Sequence, residues 1–108
     1  MIVQRKEGKK MLSSKQRAYL RGLANTIPAI FQIGKGGINE NLIDQLNDAL
    51  EVRELIKVHV LDNSLMDVRD TCHEIAALTQ SESVQVIGGK FVLYKQSREN
   101  RNIVLPKN

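Results

Sequence analysis

A chain of 108 residues with a formal charge of +4 and a single cysteine has the size of one domain with a modest core, since roughly 60–70% of the unfolded surface is buried at this length. Cys72 alone excludes an internal disulfide, no apolar run approaches the ~18–20 residues that span a bilayer, and the basic first ten residues lack the apolar stretch of a secretory signal. A cytoplasmic protein held together by packing is expected. The charge is segregated: residues 1–35 hold eight Lys and Arg against Glu7 alone, residues 36–85 three against ten acids, and residues 86–108 five against one. One surface turned to a polyanion and another turned away would produce that pattern, and ordinary solvated charge is the alternative.

Residues 1–10 read as a basic extension, with Met11 as a second possible start, and residues 97–108 as a basic tail, leaving 11–96 as the single domain. The first helix is expected from Leu12, capped by Ser13 or Ser14, with Tyr19, Leu20, Leu23, Ala24 and Ile27 at helical spacing. Lys15, Arg17 and Arg21 lie off that stripe. Arg17 and Arg21, four apart, share a face and repel mildly, so a bound phosphate would relieve them; two solvated arginines are the plain alternative. Pro28 ends the segment and hands the chain to a strand over Ala29-Ile30-Phe31-Gln32-Ile33.

The loop Gly34-Lys35-Gly36-Gly37 follows, between that strand and a helix capped by Asn39 and running to about Glu51. Glycines let a backbone approach closely with its N–H groups exposed, and a helix N-terminus adds partial positive charge, so the expected guest is a phosphate, with Lys35 supplying a Coulomb contribution. Two familiar phosphate loops are excluded. A P-loop needs Lys-Ser or Lys-Thr after its last glycine, and a dinucleotide fingerprint needs glycine where Asn39 stands. What remains is Gly34-x-x-Gly37, the spacing with which KH-type modules clamp a nucleic-acid backbone, or else a turn required by geometry alone.

Glu40, Asp44 and Asp48 form an outward stripe on the second helix, without His or Cys at ligand spacing, and read as solvated surface. Ile56, Val58 and Val60 alternate with Lys57 and His59 in the clearest strand of the chain. A third helix is expected from a cap at Asn63 or Ser64 to near Gln80, with Leu65, Val68, Cys72, Ile75, Ala76 and Thr79 inward. Cys72 is then a small core residue and His73 faces elsewhere, so no catalytic or metal-binding pair is expected. Two strands flank Gly88-Gly89 as a hairpin, and Ile103-Val104-Leu105 is the part of the tail suited to docking. The order α-β-α-β-α-β-β implies an α/β fold with a four-stranded mixed sheet.

Four motifs in this order resemble the CRM domain family and its bacterial stand-alone YhbY-like members: Gln16-Arg17-Ala18-Tyr19-Leu20-Arg21, Ile33-Gly34-Lys35-Gly36-Gly37, Arg53-Glu54-Leu55-Ile56-Lys57-Val58 and Gly88-Gly89-Lys90-Phe91-Val92-Leu93-Tyr94-Lys95. The resemblance implies a fold like the C-terminal domain of a translation initiation factor with an added N-terminal helix. It also implies a protein that binds rRNA in precursor large ribosomal subunits; because no nucleophile–base pair or metal-ligand spacing stands in the sequence, a non-enzymatic protein without cofactor is expected. Carried onto this chain, RNA contact falls on Gly34, Lys35, Gly36 and Gly37 and on Arg17 and Arg21 of the basic helix, and Lys15, on the same polar side of that helix, is expected to join them. The chain departs from the family pattern at His59, where a second basic residue after Lys57 is common. Two Phe, two Tyr and no Trp are too few for a stacking platform, which favours backbone contacts. A monomer is expected, and a protein-interaction or DNA-architectural module on the same scaffold is the alternative, because a fold does not fix a function.

Overall fold

The computed structural model describes residues 12–107; the expected basic extension over residues 1–10 and the possible start at Met11 lie outside them. Helix α1 (Ser14–Ala24) opens with a capping box, in which the Gln16 amide donates to Ser13 Oγ and the Ser13 amide donates to Gln16 Oε1, both at 3.1 Å. Leu12 therefore precedes the helix. Leu20 and Ala24, four apart, are buried, whereas Tyr19 at the flank of their stripe is 42% exposed, a correction to its expected place in the core.

Strand β1 (Phe31–Ile33) is only three residues long and occupies an edge, where a short strand offers little to stray pairing. Helix α2 (Glu40–Arg53) is capped by Asn39, whose Oδ1 accepts the Leu42 amide at 2.9 Å, and it continues past the expected end at Glu51. Strand β2 (Leu55–Val60) buries Ile56, Val58 and Val60 and leaves Lys57 and His59 half-buried on the opposite face.

The third helix departs from expectation at its start. Asn63 and Ser64 lie in a single 3-10 turn over Asp62–Ser64, and helix α3 (Val68–Thr79) is capped by Asp67, whose Oδ2 accepts the Asp70 amide at 2.9 Å. Ser64 Oγ accepts the Met66 amide instead. Leu65, expected inward, takes a left-handed conformation at φ 60° and is 93% exposed, because the turn ends there before the new helix begins. Cys72, Ile75 and Thr79 are buried as the helical spacing requires.

Strands β3 (Glu82–Ile87) and β4 (Lys90–Tyr94) form the hairpin, with Gly88 at φ +58°. A shift of register between Ser83 and Gln85 takes Val84 out of the ladder, and its side chain joins the cluster beneath α1. The sheet order is β1-β2-β4-β3, with β1 parallel to β2 and the other neighbours antiparallel. This is the expected mixed α/β sheet. Alternation of side chains gives it two cores. Ile56, Val58, Phe91 and Leu93 meet Leu46 and Leu50 of α2 and Cys72 and Ile75 of α3 on one face. Leu55, Val84, Val92 and Tyr94 meet Leu20 and Ala24 of α1 on the other. No helix of the described residues is long and apolar enough to cross a membrane.

The C-terminal segment is built into this second layer. Ile103 and Leu105 pack against the cluster beneath α1, and Gln16 Nε2 donates to the Pro106 carbonyl at 3.0 Å. Two carboxylates at the end of α2 fasten the segment. Glu54, fully buried, accepts the amides of Ser97 (2.7 Å), Asn102 (2.7 Å) and Ile103 (2.9 Å). Glu51 accepts the amides of Arg98 (3.1 Å) and Glu99 (3.0 Å) and the Ser97 hydroxyl (2.8 Å).

Candidate nucleic-acid interface

The glycine loop stands where β1 and β2 end together. Ile33 pairs with Val60, and the Leu61 amide extends the ladder to the Ile33 carbonyl at 2.9 Å. Beyond it the Gly37 amide donates to the Gly34 carbonyl at 3.0 Å, closing a four-residue turn with Lys35 and Gly36 exposed at its tip. Gly37 is at φ +65°, a conformation in which a Cβ is strained.

This geometry sorts the loop's donors. The Gly37 amide is committed to the turn, while the Lys35 and Gly36 amides have no acceptor among the described residues. The first turn of α2 is already capped by Asn39 and carries Glu40, which offsets the positive end of the helix. Lys35 and the two tip amides are thus what this corner offers an anion, with less help from the helix than spacing alone suggests.

The basic residues of α1 stand elsewhere. Arg17 Nη1 donates to the Ser83 carbonyl of β3, so its guanidinium is partly spent on holding α1 to the sheet and is not a plain solvated charge. Ser83 pairs with Leu93, near the start of β2, on the edge strand opposite β1. From strand spacing and rise, that corner lies about 20 Å from the glycine loop, diagonally across the sheet. Lys15 is exposed and Arg21 half-exposed in the last turn of α1, where a cation suits the helix dipole. The structure therefore gathers Gly34, Lys35, Gly36 and Gly37 at one corner and places Arg17 at another.

Among the described residues no group of three or more His, Cys, Asp or Glu side chains could hold a metal ion. Cys72 is fully buried, and burial pushes its thiol up, away from nucleophilic use, with Sγ donating to Ser83 Oγ at 3.3 Å. The residues that sequence reasoning did not single out are Glu51 and Glu54. Their carboxylates serve the C-terminal segment, and only the distance in sequence to residues 97–103 conceals the match.

A small α/β domain with both sheet faces covered in part and an exposed glycine turn at the end of a parallel strand pair is thus the class this chain defines. Comparison with known proteins gives the family. Residues 12–95 match the CRS1 / YhbY (CRM) domain model, and the chain belongs to that family. It is 49% identical over 96 residues to the probable RNA-binding protein YqeI of Bacillus subtilis, covering 89% of this chain and 100% of that one. It is 34% identical over 96 residues to a Haemophilus influenzae protein named RNA-binding protein, covering 89% and 96%. The solution structure of SAV1595 from Staphylococcus aureus superimposes with a TM-score of 0.71 at 52% identity, covering 89% of this chain and all of that one.

Proposed function

We propose that this protein is a non-enzymatic, cytoplasmic RNA-binding protein that engages rRNA in precursor large ribosomal subunits, as an assembly factor. The observation that carries the reading is the match, over 89% of this chain and the whole of the relative, to the Bacillus protein whose name reads probable RNA-binding protein. The exposed Lys35–Gly36 turn supplies a physical means. A lysine and two unengaged amides at a loop tip can hold one backbone phosphate, and exposed Lys15 and half-exposed Arg21 add attraction that does not depend on sequence. Contacts of this kind position a protein on a polyanion without reading bases.

The test is sedimentation of the full chain with large-subunit precursors at low and at high salt, beside titrations of rRNA fragments and duplex DNA of equal length. Cosedimentation at low salt that is lost as salt rises, with preference for the rRNA fragments, is the expected result. Sedimentation at the top of the gradient under both conditions would contradict the assembly role, and equal affinity for duplex DNA would favour an architectural module.

A further inference from the structure

Sheet register brings together residues that the sequence keeps apart. Gln32 of β1 stands beside His59 of β2, His59 faces Lys90 of β4, and Lys90 faces Ile87 of β3. The next row on the same face runs from Lys57 through Val92 to Gln85. The cluster beneath helix α1 covers this face at Leu55, Val84, Val92 and Tyr94, so the second row is open only on either side of the buried Val92. Gln32, Ile87 and Lys90 are consequently exposed, and Lys57, His59 and Gln85 half-buried.

The charge on this open half is of one sign. Glu82 is the sole acid of the four strands, and it pairs with Tyr94 at the far end of the sheet. Lys57 and Lys90 are diagonal neighbours across the β2–β4 ladder, close enough to repel, and a polyanion laid across them removes that penalty. The row ends at Gln32, two residues before Gly34, so this surface continues into the glycine loop. Gly89 borders the His59 ring and the Val60 carbonyl, each 3.4 Å from where its Cβ would stand.

We propose that this open half of the sheet is a second contact surface for the RNA, with Lys57 and Lys90 each taking a phosphate of the strand and Gln32, His59 and Gln85 offering hydrogen bonds between them. The inference rests on the RNA-binding reading above and extends it from a single loop to a surface crossing all four strands. Charge complementarity commits the face to a phosphodiester backbone.

The test compares the full chain with Lys57→Gln combined with Lys90→Gln, the glutamines retaining much of the side-chain stem, in titrations of a single-stranded rRNA fragment across salt. A folded variant is expected to lose about two units of salt slope, about one per lysine, and Lys57→Arg with Lys90→Arg to retain them. With Lys35→Ala added, the loss should grow to about three. An unchanged slope in a variant that melts like the parent would overturn the proposal while leaving RNA binding intact. So would a dimer of this chain abolished by the glutamine pair with RNA affinity unaltered, which would assign the face to a second copy. Absence of RNA binding by the parent chain would remove both readings at once.

Discussion

Glu54 shows how one side chain can justify a costly backbone. It sits at φ +67° where α2 stops, which for a residue with a Cβ costs on the order of 1–2 kcal/mol. The same twist turns its carboxylate onto the amides of Ser97, Asn102 and Ile103. Glu54→Ala leaves those donors unpaired and is expected to lower stability by about 3 kcal/mol in denaturant titrations; a loss under about 1 kcal/mol would mean water replaces the carboxylate. Glu51 gives the clasp a pH dependence. The amides of Arg98 and Glu99 and the Ser97 hydroxyl hold its pKa down to about 2, from an ordinary 4.5. Its contribution is therefore whole above about pH 4.5 and is lost as pH falls toward 2. The protection of the Arg98 and Glu99 amides, taken relative to their intrinsic exchange rates at each pH, should fall over that window, and protection unchanged down to pH 2 would contradict the assignment.

At the scale of elements, α1 separates two arginines that helical spacing treats alike. Arg17 reaches the Ser83 carbonyl of β3, whereas Arg21 lies in the last turn of the helix. Arg17→Ala should cost about 1 kcal/mol of stability and Arg21→Ala less than about 0.5 kcal/mol; thermal melts of the two single variants decide this, with equal shifts as the contrary result. Arg21→Glu is accordingly the cleaner probe of charge in RNA titrations. The elements legible in the sequence were those with a local signature: the alternation of Ile56, Val58 and Val60, the Asn39 cap, the glycines of the β3–β4 hairpin. Asp67 was missed because Asn63 and Ser64 are equally good caps by composition, and only the 3-10 turn that exposes Leu65 decides between them. Val84 leaves its ladder and Arg17 finds Ser83 through contacts dozens of residues apart, which no periodicity encodes.

Across the whole molecule the charge blocks of the sequence become faces. Glu40, Asp44 and Asp48 on α2 and Asp67, Asp70 and Glu74 at α3 are exposed on the layer covering one side of the sheet, while Lys57 and Lys90 emerge on the other. The glycine loop was legible as a strand-to-helix turn. Its donor count was not, because the Gly37 amide is consumed by a hydrogen bond that exists only once the turn closes. In the proposed function the tip of this turn holds an RNA phosphate. Nothing lies within 4 Å of where a Cβ on Gly36 would sit, and Lys35 is exposed, so Lys35→Asp combined with Gly36→Asp should fold like the parent while placing two carboxylates where the phosphate belongs. The measurement is the affinity of that double variant for an rRNA fragment across a salt series. The expected result is an unchanged melting curve with binding weakened by roughly an order of magnitude at low salt and a shallower salt slope; affinity equal to the parent's at every salt concentration would make the loop a turn and nothing more.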